Sequence, residues 1–168
     1  LNDALSGTSK AQCCWALANN YIVAADLLLK RPTPQTSVPA LFLLAHALEL
    51  HLKAFLMAKG ISESRLRSRD IGHNLVACFR ESREQGLLRI LSLTKKEVCQ
   101  IIRINRYYRG KQLEYFAPTA KRFGSIDEFQ ATVEKISRAV SAPITFDDFR
   151  ELSSEATRRQ GNRIGDHF

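Results

Sequence analysis

Between Pro39 and Gly60 the chain reads PALFLLAHALELHLKAFLMAKG, and four ionisable side chains, His46, Glu49, His51 and Lys53, interrupt its most apolar stretch. A glutamate four residues before a lysine forms a favourable ion pair on a helix. Imidazole beside a carboxylate can move protons or, with further ligands, hold a metal. The metal reading fails on number. A bundle di-metal site needs several carboxylates and two Glu-x-x-His pairs, and this stretch has a single reversed His-x-x-Glu. No metal or other cofactor is expected. A second set is RSRDIGH, where Arg67 precedes His73 with five residues between. Arginine can grip a phosphate and histidine can transfer a proton; the competing reading has His73 capping or packing at the start of the next helix.

A third set lies in TKKEVCQIIRINRYYRGKQLEYF. Val98, Ile101, Ile102 and Tyr108 form its core-facing stripe, with Asn105 inside it and expected to reach Glu49 or Lys53. Lys96, Arg103 and Arg106 lie along another face, and Tyr107, Tyr115 and Phe116 interleave with Arg109 and Lys111. Guanidinium groups suit phosphates and exposed rings stack on bases, so this reads as a surface for single-stranded RNA or a nucleotide. The alternative is aromatics in the core and arginines in solvent. Neither a phosphate-binding glycine loop nor a nucleophile elbow is visible.

Helices must position these groups. Ala11, Trp15, Ala18, Ile22, Ala25 and Leu29 alternate steps of four and three, predicting a helix over 9–30. RPTPQTSVP should end it, with Pro39 opening the second helix and Gly60 closing it. On that second helix Leu41, Ala45, Leu48, Leu52, Phe55 and Leu56 make one apolar face; Leu43, Ala47, Leu50, Ala54 and Met57 make another. His46, Glu49 and Lys53 fall on one seam between them, and His51 on the other. A helix apolar on two sides is buried from two sides, by the chain's own last helices or by a second copy. ISESRLRSRDIG reads as a basic loop and HNLVACFRESREQG as a short helix. The capping boxes TKKE and SIDE open helices to about Arg109 and about Val140, and TFDD opens a last one. Residues 31–38 and 141–144 read as linkers.

The 168 residues suit one domain, with a core over about 9–110 and a C-terminal helical extension over about 125–160. The net charge is +8, and residues 61–122, with 14 basic against 6 acidic side chains, hold all of that excess. An anionic partner follows, nucleic acid or nucleotide ahead of membrane. The four cysteines form no C-x-x-C pair, which argues against zinc and disulfides and for buried thiols in a reducing, cytoplasmic setting. No signal peptide is visible, and no apolar run approaches bilayer thickness.

YIVAADLLL at 21–29, the stretch 39–60 and GHNLVACF at 72–79 together resemble the HEPN superfamily, over about residues 9–110. The resemblance implies an all-α, up-and-down bundle of four or five helices, commonly a homodimer, in which Glu49 and Lys53 match the acid and base of the second helix. It implies either a noncatalytic RNA- or nucleotide-binding module of stress or defence systems, or a metal-independent toxin-type endoribonuclease. A nucleotidyltransferase or antitoxin partner goes with that context. Catalytic relatives carry arginine, four to six residues, then histidine in a late helix; here that helix has Arg103, Arg106 and Arg109 without a following histidine, and Arg67 with His73 is the nearest match. His167, which follows Arg163 too closely, is set aside. A third class is an adaptor whose basic face meets an acidic protein.

Overall fold

One helix, Pro34–Ala58, runs through the middle of the structure, and the other elements are arranged by which of its faces they cover. The computed structural model describes residues 7–115 and 123–144, which form seven helices and no strand. They are α1 (Gly7–Leu29), α2 (Pro34–Ala58), α3 (Glu63–Leu66), α4 (Leu75–Glu84), α5 (Leu87–Ile90), α6 (Lys95–Arg109) and α7 (126–144). The expected all-α class holds. The expected last helix at TFDD, with Phe116, Arg163 and His167, lies outside the described residues.

The first face of α2 is sealed: Leu41, Ala45, Leu48, Leu52 and Leu56 are wholly buried and Phe55 is nearly so. Its second face is covered by α1, the helix it packs on most extensively, as shown by the Cys14 thiol donating to the Leu50 carbonyl at 3.4 Å. Small residues make this approach close. Ala11, Ala18 and Ala25 on α1, and Ala40, Ala47 and Ala54 on α2, repeat every seventh residue and are all wholly inaccessible. Short side chains at the contact set the low end of helix–helix spacing.

α2 begins five residues earlier than its sequence suggests. Thr33 caps it, accepting from the Thr36 amide while the Thr36 hydroxyl accepts from the Thr33 amide, and Pro34 takes the first turn. Pro39 therefore sits inside the helix. Its missing N–H orphans the Gln35 carbonyl, but Gln35 and Pro39 are both exposed, so water satisfies that group. Residues 34–38 are thus helix rather than linker, and so are 141–144, which belong to α7. By length and composition α2 could cross a membrane, yet two thirds of its most apolar window is buried within the fold, as for a central helix.

α7 carries Phe129, Val133, Ile136, Val140 and Ile144 into the same core as α2. It spans α1 and α6: Trp15 Nε1 donates to the Ser137 carbonyl at 3.3 Å, and Lys135 Nζ donates to Glu97 at 2.9 Å. Only half of the SIDE capping box forms. The Glu128 amide donates to Ser125 Oγ, but the Glu128 carboxylate turns to Lys96 and Gln100. The TKKE box is complete. The basic loop contains α3, because Ser62 accepts from the Arg65 amide and caps it. Cys13 and Cys99 are exposed, not buried, since they lie on the outer sides of α1 and α6.

Ala47→Leu would force three extra heavy atoms into a seam where the Ala47 side chain is wholly buried. We expect it to cost about 1–3 kcal/mol, read as a lower urea midpoint with an unchanged m-value.

Candidate functional site

Glu49 is 1% exposed, and a carboxylate at that depth needs every oxygen paired to stay ionised. Its neighbours come from three elements. Lys53 Nζ, one helical turn along α2, donates to Oε1. Tyr108 Oη, from α6, donates to Oε2 at 2.6 Å. His73 Nδ1, from the turn before α4, lies 3.0 Å from the same oxygen. Burial pushes the Glu49 carboxyl up, but the hydrogen bond and charge of Lys53, with Tyr108 and His73, outweigh it and hold the group below the usual carboxylate range. Tyr108 is pushed far up by burial and by the Glu49 charge, so its proton stays on oxygen.

This arrangement fixes two tautomers. An ionised carboxylate only accepts, so His73 Nδ1 carries the proton it shares with Glu49. Tyr108 spends its single hydrogen on Glu49, so His46 Nδ1, 2.8 Å from Tyr108 Oη, must donate to it. In the neutral ring Nε2 is then an unprotonated acceptor in both histidines. His46 is held among Tyr21, Phe42 and Tyr108, with Tyr21 edge-on at 4.8 Å, and burial lowers its pKa. The His73 side chain is 63% exposed while Lys53 is 14% exposed. The network is thus sealed at Glu49 and opens to solvent at His73. Chemically it is a carboxylate-oriented imidazole with an outward nitrogen, backed by a phenol and an ammonium.

Of the residues singled out by sequence, Glu49, Lys53 and His73 meet here. Arg67 does not join them through a shared partner: it ends α3 with its guanidinium on Glu63 at 3.1 Å and 80% of its side chain exposed. It lines, with Lys53, Cys14 and Leu50, a cavity of about 320 Å³ between α1, α2 and α3. Asn105 does not reach Glu49 or Lys53. It accepts from the Leu75 amide at 2.8 Å and donates to Asn74, tying the start of α4 to α6, because Asn74 rather than His73 is the cap of α4. Ile102 faces solvent and Ile104 takes its place in the core.

Arg103, Arg106 and Arg109 are exposed on one side of α6. Arg103 passes the backbone at Gly124, where a Cβ would fall 3.0 Å from Nη1. Lys96, expected beside them, is held by Glu128 at 2.6 Å. Tyr107 is half-buried, edge-on to Phe123 at 4.9 Å, while Tyr115 is 65% exposed. Tyr108 is the functional residue that sequence reasoning placed only in the core stripe; a lone tyrosine on an apolar face gives no sign that its hydroxyl has a buried acceptor. Cys14 and Cys78 are raised by burial to about 11 and about 12, which makes them poor nucleophiles. Among the described residues no group of three metal-ligating side chains is found. Comparison with protein-family models, curated proteins and solved structures gives no match.

On the opposite seam, His51 is wholly buried, donates from Nδ1 to the Ala47 carbonyl at 2.8 Å and has no partner for Nε2 among the described residues. Burial lowers its pKa to about 4, from an ordinary 6.5. The unfolded chain therefore binds a proton that the folded one refuses, and stability falls as pH drops from 6.5 towards 4. We expect a loss of about 2 kcal/mol between pH 7 and pH 5 from this group, absent in His51→Met, measured by urea denaturation at both pH values. Tyr108→Phe strips one donor from Glu49 and the acceptor from His46, at about 1–3 kcal/mol. Nitrogen NMR of the imidazoles should then show the His46 tautomer released and His73 still protonated at Nδ1.

Proposed function

We propose that this protein is a noncatalytic HEPN-like helical module that binds RNA or a nucleotide through the outer face of α6. One observation carries the reading. Among the described residues no carboxylate lies within ion-pair distance of Arg103, Arg106 or Arg109, whereas Lys96, Lys135, Arg65 and Arg67 each hold one. Three arginines at successive three-residue steps, exposed on a chain of net charge +8, form a fork-bearing surface suited to phosphate. Tyr115 next to it offers an exposed ring for a base. On this reading the Glu49 network is structural. It clamps α2, the His73 turn and α6 together and so holds the basic face still. Stress or defence as the setting, and a nucleotidyltransferase or antitoxin as a partner, rest on the resemblance alone.

A second reading is favoured by a separate observation, the Glu49–His73 pair. A buried carboxylate that fixes one imidazole nitrogen and leaves the other towards solvent is the arrangement a general base needs. A metal-independent ribonuclease would use it to take the 2′-hydroxyl proton.

Anisotropy of a labelled single-stranded RNA, titrated with salt, tests the first reading. We expect binding that weakens with salt, and a plot of log affinity against log salt flatter by about two when Arg103, Arg106 and Arg109 are all replaced by alanine. An unchanged slope removes that face from consideration, and no binding to any polyanion favours the adaptor. RNA cleavage in EDTA that disappears in His73→Ala would replace the first reading with the second.

A further inference from the structure

The cavity of about 320 Å³ lies where the start of α1 and the end of α2 meet α3. Its walls include Leu50, Met57 and Leu66, and its charged groups are Lys10, Lys53, Glu63 and Arg67. A second cavity, of about 470 Å³, shares Lys10, Met57 and Glu63 with the first and continues to Ile61. The two meet at those shared residues, so the Lys10–Glu63 ion pair of 2.9 Å stands between them. Each is within the size range of small-ligand sites, about 300–1,000 Å³.

Lys53 identifies the end of the ligand that enters first. An ammonium carries three N–H donors. One goes to Glu49 Oε1 at 2.5 Å, and among the described residues the other two have no acceptor. The side chain is only 14% exposed, so bulk water does little for them, and the cavity that Lys53 lines is where their acceptors have to sit. Charge then fixes the valence. Lys10, Lys53 and Arg67 face two carboxylates: Glu63, which serves both Lys10 and Arg67, and Glu49, which lies behind Lys53. One positive charge is left over, and a single negative charge balances it. Arg67 gives Glu63 only its Nη2, so its fork has donors to spare. The apolar walls define the rest of the ligand. A bare inorganic ion would leave Leu50, Met57 and Leu66 against water, whereas an alkyl chain covers them.

We infer that this cavity binds an amphiphilic monoanion, a medium-chain monocarboxylate, with its carboxylate between Lys53 and Arg67 and its chain along Leu66 and Met57 towards Ile61. The site is separate from the arginine face of α6, so either assignment can fail without the other.

Isothermal titration calorimetry of the full chain with octanoate tests this, with acetate, inorganic phosphate, octanol and octylammonium as comparisons. Octanoate should bind saturably, and each of the others at least about tenfold more weakly. Two exposed substitutions should act in opposite directions. Arg67→Glu should weaken octanoate by about tenfold. Glu63→Gln, which frees Lys10 and Arg67, should tighten it. Cysteine alkylation locates the site, because Cys13 lines the cavity and Cys99, equally exposed, is on α6. Octanoate should slow the modification of Cys13 by iodoacetamide and leave that of Cys99 unchanged. The inference is overturned by the absence of saturable octanoate binding, or by octanol or octylammonium binding as well as octanoate. Affinity indifferent to both substitutions, or equal protection of the two cysteines, overturns it too.

Discussion

An ionised carboxylate sealed from water must collect its hydrogen bonds from whatever the fold brings near, and Glu49 collects them from three separate places in the chain. That requirement sets the relative positions of α2, the turn carrying His73, and α6 more strictly than apolar packing can. Apolar contacts tolerate sliding, whereas a donor 2.6 Å from an acceptor does not. Replacing such a group by a hydrophobe is often harmless when the whole set goes and costly when one member goes, so the network acts as a unit.

The two seams of α2 show what this costs and where. On one, Glu49 is fully satisfied and the network leads outward through His73. On the other, His51 is satisfied at one nitrogen only, and burial keeps the ring neutral, so no charge has to be stabilised there. The difference is between a group whose charge is compensated by partners and one whose charge is suppressed by desolvation. Only the first arrangement extends to an exposed side chain, that of His73.

Much of this was legible in the amino-acid order, and the failures have identifiable causes. The two apolar faces of α2 follow from helical period; the structure seals the first and lays α1 over the second, where Leu43, Leu50 and Met57 stay half-buried. Its start was misplaced because a proline at position 39 is a stronger signal than a threonine cap at position 33, although an exposed carbonyl makes that proline cheap. Glu49 and Lys53 as a pair follow from their spacing. His73 joining them does not, since 24 residues separate it from Glu49 and nothing local records the return of the chain. Asn105, inside an apolar stripe, suggests a polar contact with Glu49 or Lys53, but its partner is instead the start of α4, because that helix exposes amide donors which a nearby side-chain carbonyl satisfies. Tyr108 was unreadable for the same reason as His73: the acceptor of its hydroxyl is 59 residues away.

Charge is distributed along the chain in a way that separates two surfaces. Residues 1–60 carry 5 basic and 3 acidic groups, and residues 61–122 carry 14 and 6. The first segment contributes α1, with its uncharged outer side; the second contributes α6, with its three exposed arginines. Both helices pack on α2, so one central helix holds the uncharged side and the basic side in a fixed relation.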